Sequence, residues 1–105
     1  MVDHLVLFRF RPEVSQQEIR LVCEELRGLA SQVDGICGFR GGAYSSPEGL
    51  NQGFSHGFVM TFQSPAARDA YLPHPAHQLV VEKILPMLEG GLSGVVAFDL
   101  IDGEL

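Results

Sequence analysis

Residues 2–10 read VDHLVLFRF, a stretch that is apolar on both sides of a strand. Side chains alternate along a β-strand. Val2, His4, Val6, Phe8 and Phe10 therefore share one face, and Leu5 and Leu7 share the other, with Asp3 and Arg9 at its ends. A strand of this kind must be covered on both faces. One layer of helices covers only one of them. Few architectures meet that demand in 105 residues, which are read as a single domain over 1–105.

The rest of the chain supplies the other layers. Ser15 and Glu18 have the S-x-x-E spacing of a capping box, and Ile19, Val22, Leu26, Leu29 and Val33 recur at steps of three and four. The pattern predicts a helix that stops near Asp34–Gly35. Residues 36–45 (ICGFRGGAYS) read as a glycine-interrupted strand, and 54–62 (FSHGFVMTF) alternate cleanly. Ser64–Pro65 opens a short helix to about Tyr71, a Pro73–Pro75 corner breaks it, and a second helix is expected over 76–88 with Leu79, Val80, Ile84, Met87 and Leu88 inward. Residues 95–101 (VVAFDLI) are the last strand.

This order gives an α+β, ferredoxin-like βαββαβ unit: a four-stranded antiparallel sheet with helices on one face. Its other face is left bare and apolar, carrying Leu5, Leu7 and Val59. The second cover is then another copy of the chain, paired sheet to sheet as a homodimeric α/β barrel.

Composition narrows the partners. The formal net charge is −6, and the seven Lys and Arg are scattered rather than grouped. Nucleic acid and anionic membrane surfaces are excluded as partners on that ground. No apolar run reaches a bilayer-spanning length, the first ten residues lack a signal-peptide pattern, and a cytoplasmic location is expected. Cys23 and Cys37 have no C-x-x-C spacing and are expected to be buried free thiols. Nucleotide, flavin and serine-hydrolase motifs are missing, and no cofactor is expected.

Chemistry-bearing residues gather at two places. His4 and His56 fall on the helix-covered face of neighbouring strands, with Val6, Phe8, Val22, Leu26 and Phe58 around them, and are expected to line one cavity. The second place is Tyr71-Leu72-Pro73-His74-Pro75-Ala76-His77. A histidine at a helix N-terminus stays neutral, as a general base must, so His77 is the candidate base. Tyr71, across the corner, is its phenolic partner, and Leu72 and Val80 are expected beside them as substrate contacts. His74, between two prolines, reads as a corner-capping residue. The same pair could simply hydrogen-bond each other, since buried polar groups are usually paired. His74 and His77 have H-x-x-H spacing, and Asp99 or His56 could join them, but nothing supplies a second tight pair and no metal site is assigned.

Taken together, HLVLFRF, GFSHGFVMTFQS, DAYLPHPAHQLVVEKILP and VVAFDL resemble the stress-responsive dimeric α/β-barrel (Dabb) proteins over nearly the whole chain. The resemblance implies the same βαββαβ fold, dimerised through its sheets. A plant polyketide cyclase of that family uses a tyrosine and a histidine that fall on Tyr71 and His77, with further pocket histidines on His4 and His56. Its bulky first-helix aromatics are replaced here by LVCEEL, so the substrate does not carry over. The resemblance implies a pocket for a small hydrophobic or aromatic carbonyl compound and a cofactor-independent lyase or cyclase reaction. The alternatives are a non-enzymatic stress or ligand-binding protein and, third, a small monooxygenase-like barrel.

Overall fold

The computed structural model describes residues 1–105. Four strands, β1 (Val2–Phe8), β2 (Ile36–Ala43), β3 (His56–Phe62) and β4 (Val95–Leu100), form one antiparallel sheet in the order β2-β3-β1-β4. Helix α1 (Gln16–Gly28) joins β1 to β2, and α2 (Pro65–Tyr71) and α3 (Pro75–Ile84) join β3 to β4. This is the ferredoxin-like βαββαβ arrangement.

The strand alternation decides what each face does. Val2, Val6 and Phe8 of β1 and Phe58, Met60 and Phe62 of β3 are buried with Ile19, Val22, Leu26, Tyr71, Val80 and Ile84 of the helices in one core. The opposite face is open. Leu7 is 43 % exposed and Phe98 61 % exposed, and Val96 and Leu100 stand beside them on β4. Cross-strand register places Leu7 opposite Val96 and Leu5 opposite both Phe98 and Val59. The two-sided pattern of β1 is therefore real, and one side has no cover within the chain.

Three expectations shift. Helix α1 ends at Gly28, not near Asp34, and continues as a tight turn over Leu29–Ser31. Glycine weakens a helix interior, and the Ser31 hydroxyl and the Gln32 amide both donate to the Gly28 carbonyl, occupying the acceptor that a further turn would need. Leu29 and Val33 stay buried all the same. Helix α3 ends at Ile84, not at 88, because Pro86 can neither donate to the ladder nor fit against the preceding turn. Its buried face runs through Val80 and Ile84, and Leu79 points outward at 61 % exposed. Cys37 is exposed, not buried: a register break between Ile36 and Gly38 in edge strand β2 turns it out of the core.

The N-terminal caps form as the sequence implies. Ser15 Oγ accepts from Glu18 N–H, and the Glu18 carboxylate accepts from Ser15 N–H, both at 3.1 Å. Ser64 Oγ likewise accepts from Ala67 N–H at 3.1 Å, with Pro65 as the first residue of α2.

Candidate functional site

Between α2, α3 and the covered face of the sheet lies a cavity of about 200 Å³. His4, Val6 and Phe8 of β1, Phe58 of β3 and Leu26 of α1 form one side. Tyr71, Leu72, His77, Val81 and Ile84 form the helical side, and Val95 and Ala97 of β4 close it. Apart from the two histidines and the phenol of Tyr71 its walls are apolar, and no Asp, Glu, Lys or Arg lines it. Leu92, 75 % exposed on the turn before β4, stands at the mouth.

The corner between α2 and α3 aims the polar groups. Tyr71, the last residue of α2, is completely buried, with its ring 5.0 Å from that of Phe62. The chain then turns through Leu72, Pro73 and His74. His74 N–H donates to the Tyr71 carbonyl at 3.0 Å, and His74 Nδ1 accepts from Ala76 N–H at 3.0 Å, capping α3 ahead of Pro75. His77, in the first turn of α3, meets the Leu72 carbonyl with its Nδ1 at 2.8 Å. A carbonyl only accepts, so Nδ1 carries the proton and Nε2 is the basic nitrogen. Burial lowers the His77 pKa from its usual 6.5, outweighing the stabilising bond to Leu72, with the nearby His4 and His74 adding to the fall. The ring is neutral at pH 7.

Tyr71 and His77 meet ring to ring with centroids 4.2 Å apart. The Tyr71 hydroxyl is buried and has no hydrogen-bond partner. Burial raises its pKa well above that of a free phenol, so it remains a donor.

His4 is buried in the cavity wall, its ring 6.1 Å from that of Tyr71. Its Nδ1 meets Asp99 Oδ1 at 2.5 Å, and Arg68 Nη1 meets Asp99 Oδ2 at 2.8 Å. Burial alone would raise the Asp99 pKa, but the His4 and Arg68 contacts hold it below the ordinary carboxyl value. Asp99 is therefore ionised, and the His4 proton sits on Nδ1.

The structure thus gathers His4, Val6, Phe8, Leu26, Phe58, Tyr71, Leu72 and His77 around one space. Three expected contacts fall elsewhere. Val22 and Val80 are buried in the core beside the cavity without lining it, because α1 presents Leu26 and α3 presents Val81 there. His56 sits opposite Phe8, at the far end of β3 from the His4–Met60 pair. Its Nδ1 lies 2.8 Å from the Ser55 hydroxyl and its ring 5.4 Å from that of Phe10, so it stays out of the cavity. The H-x-x-H spacing makes no ligand pair, since His74 is engaged as a helix cap and His77 is turned to Leu72. Sequence reasoning considered Asp99 only as a metal ligand and passed over Arg68. The available signal was an acid on the buried parity of an otherwise apolar strand.

The sequence model of the stress responsive A/B barrel domain, Dabb, matches residues 2–102. The chain belongs to this family. A curated relative, the stress-response A/B barrel domain-containing protein HS1 of Arabidopsis thaliana, is 34 % identical over 76 residues, covering 72 % of this chain and 70 % of that protein. Among solved structures, a dimeric ferredoxin-like protein of unknown function from Jannaschia sp. CCS1 is 31 % identical with a TM-score of 0.86, over 95 % of this chain and 97 % of that one. The hydroxynitrile lyase of Passiflora edulis superposes with a TM-score of 0.87 over 99 % of this Dabb chain and 95 % of its own, at 21 % identity, which shows a shared fold. No helix of the Dabb domain is long and apolar enough to cross a membrane.

Proposed function

We propose that the cavity binds a small neutral carbonyl compound and that His77 and Tyr71 move protons at the carbon beside its carbonyl. The observation that carries this reading is the Tyr71 hydroxyl, a buried donor without a partner at an apolar cavity that also holds a neutral histidine. A buried unpaired polar group costs about 1–3 kcal/mol. A carbonyl oxygen entering the cavity would accept from it and remove that cost.

The chemistry follows from the protonation states. His77 Nε2 takes the proton from the carbon next to the carbonyl, and the C–H electron pair moves into an enolate. Tyr71 donates to the oxygen where the negative charge develops. The enolate carbon then either recovers a proton from the His77 imidazolium or attacks a second carbonyl of the same molecule, forming a carbon–carbon bond as in an aldol cyclisation, and the alkoxide so formed takes the imidazolium proton. His4 Nε2 supplies a second acceptor that orients a hydroxyl or acidic C–H. No cation faces the cavity, so a carboxylate buried there would be uncompensated. Substrates are neutral at the end that enters. An apolar cavity of roughly 150 Å³ takes benzene, so this one takes an aryl ring with a short carbonyl arm.

We propose further that the protein is a homodimer closed through the open sheet face. The exposed row of Leu7, Val96, Phe98 and Leu100 supports this, as does the dimeric state of the Jannaschia protein.

The test is deuterium exchange at the α-carbon of neutral aryl ketones, phenylacetone first, followed by proton NMR in heavy water. Wild type is expected to speed exchange over buffer, and Tyr71→Phe and His77→Ala each to lose at least about tenfold of that rate. Equal rates in wild type and both variants overturn the assignment. Saturable binding without exchange by wild type makes the protein a ligand carrier instead.

A further inference from the structure

We propose that Arg68 is a positioning residue for the cavity, holding the Asp99 carboxylate that sets the proton of His4. The inference rests on the cavity being the working site, but its observations lie outside the Tyr71–His77 pair.

His4 and Asp99 are direct cross-strand partners on β1 and β4, both on the covered face. Both carboxylate oxygens are engaged, Oδ1 by His4 Nδ1 and Oδ2 by Arg68 Nη1. The guanidinium is braced in turn, because its Nε donates to Asp69 at 2.8 Å. The three side chains run from a partly exposed arginine inward to a buried imidazole at the cavity wall. Arg68 lies three residues before Tyr71 on α2, so one short helix sets both a donor in the cavity and the brace of its second imidazole.

Arginine cannot lose its proton in a protein. It therefore compensates the Asp99 charge permanently. The other groups facing His4 carry no compensating charge: Tyr71 from α2, Phe58 and Phe62 from β3, and neutral His77 from α3. Without Arg68, the Asp99 carboxylate is free to turn away from Nδ1. The His4 tautomer is then no longer fixed, and Nε2 turns partly from an acceptor into a donor. Arg68 thus determines whether the cavity offers one donor and two acceptors, which matches a carbonyl compound that also carries an O–H or acidic C–H. The relay is only partly exposed, and a ring that only packs has no need of a fixed tautomer.

Long-range proton–nitrogen NMR correlations of the ¹⁵N-labelled full chain at pH 7.5 test this without any substrate. In wild type, His4 is expected to show a protonated Nδ1 and a bare Nε2. Arg68→Met and Asp99→Asn lose that single pattern, Arg68→Lys returns it toward wild type, and His77 keeps its own pattern in all of them. A wild-type His4 pattern in Arg68→Met overturns the proposal. Joint loss of the His4 and His77 patterns also overturns it, because Arg68 would then merely anchor α2. If Arg68→Lys fails to restore a pattern lost in Arg68→Met, the effect belongs to guanidinium packing and the charge relay is wrong. A protein inactive on every ketone can still show the relay, so the two proposals fail separately.

Discussion

Tyr71 and His77 face each other across the α2–α3 corner with their ring planes tilted by 37°, yet the phenol bonds neither the imidazole nor any other group. A pair built only to pin the corner would close that hydrogen bond. Here the histidine is held by the Leu72 carbonyl, and the tyrosine by packing against Phe62 and His4.

Removing the hydroxyl should therefore be harmless to the fold. Tyr71→Phe is expected to unfold in urea with stability equal to wild type or up to about 1 kcal/mol higher, since an unsatisfied buried donor is deleted and the ring is kept. A loss above about 1 kcal/mol would show that the hydroxyl is satisfied in solution. Combined with a fall in exchange rate, retained stability separates a working tyrosine from a structural one.

Acid should destabilise the protein earlier than carboxylates alone would make it. Burial lowers the pKa of His77 and of His56 from the usual 6.5. The unfolded chain then binds more protons than the folded one below that value, so stability rises with pH up to about 6.5 and levels off above it. Asp99 adds a further loss at lower pH, as it falls through the depressed value that His4 and Arg68 maintain. Melting temperatures between pH 5 and 8 check the sign, and His77→Gln should flatten the slope. A melting point that climbs as the pH drops from 7.5 to 5.5 would contradict it.

The open sheet face is tested by charge. Leu7→Asp and Val59→Asp place a carboxylate among Leu5, Val96 and Phe98. Sedimentation is expected to find monomer or unfolded chain for both, against a dimer for wild type. An intact dimer in both would put the interface elsewhere.

Gly35 controls the seat of α2. Its φ is +91°, and a Cβ there would stand 2.6 Å from that of Ala67, in the first turn of the helix. Gly35→Ala should cost more than the roughly 1–2 kcal/mol of a left-handed backbone, because α2 must also move. Since α2 ends in Tyr71, the exchange rate should fall as well. A variant as stable and active as wild type would refute the contact.

The sequence made some of this plain and hid the rest for physical reasons. Alternation is a local signal, so the two faces of β1 and the cavity residues His4, Val6, Phe8 and Phe58 could be read directly. Caps are local too, hence Ser15, Ser64 and His74. The end of α1 depends on side chains returning to the Gly28 carbonyl, and no periodicity reports that. His56 has the right parity but the wrong distance along the sheet, which only the β1–β3 register reveals. Arg68 and Asp99 meet across 31 residues of chain, and nothing local links them.

Strand β4 is a partition with two tenants. Val95 and Ala97 wall the cavity, while Val96, Phe98 and Leu100, one residue out of phase, stand on the open face. It is an edge strand, held within the chain by β1 alone. A second subunit leaning on its outer side would stiffen the inner wall. Ligand affinity should then weaken on dilution, so that the protein senses its own concentration through the thickness of a single strand.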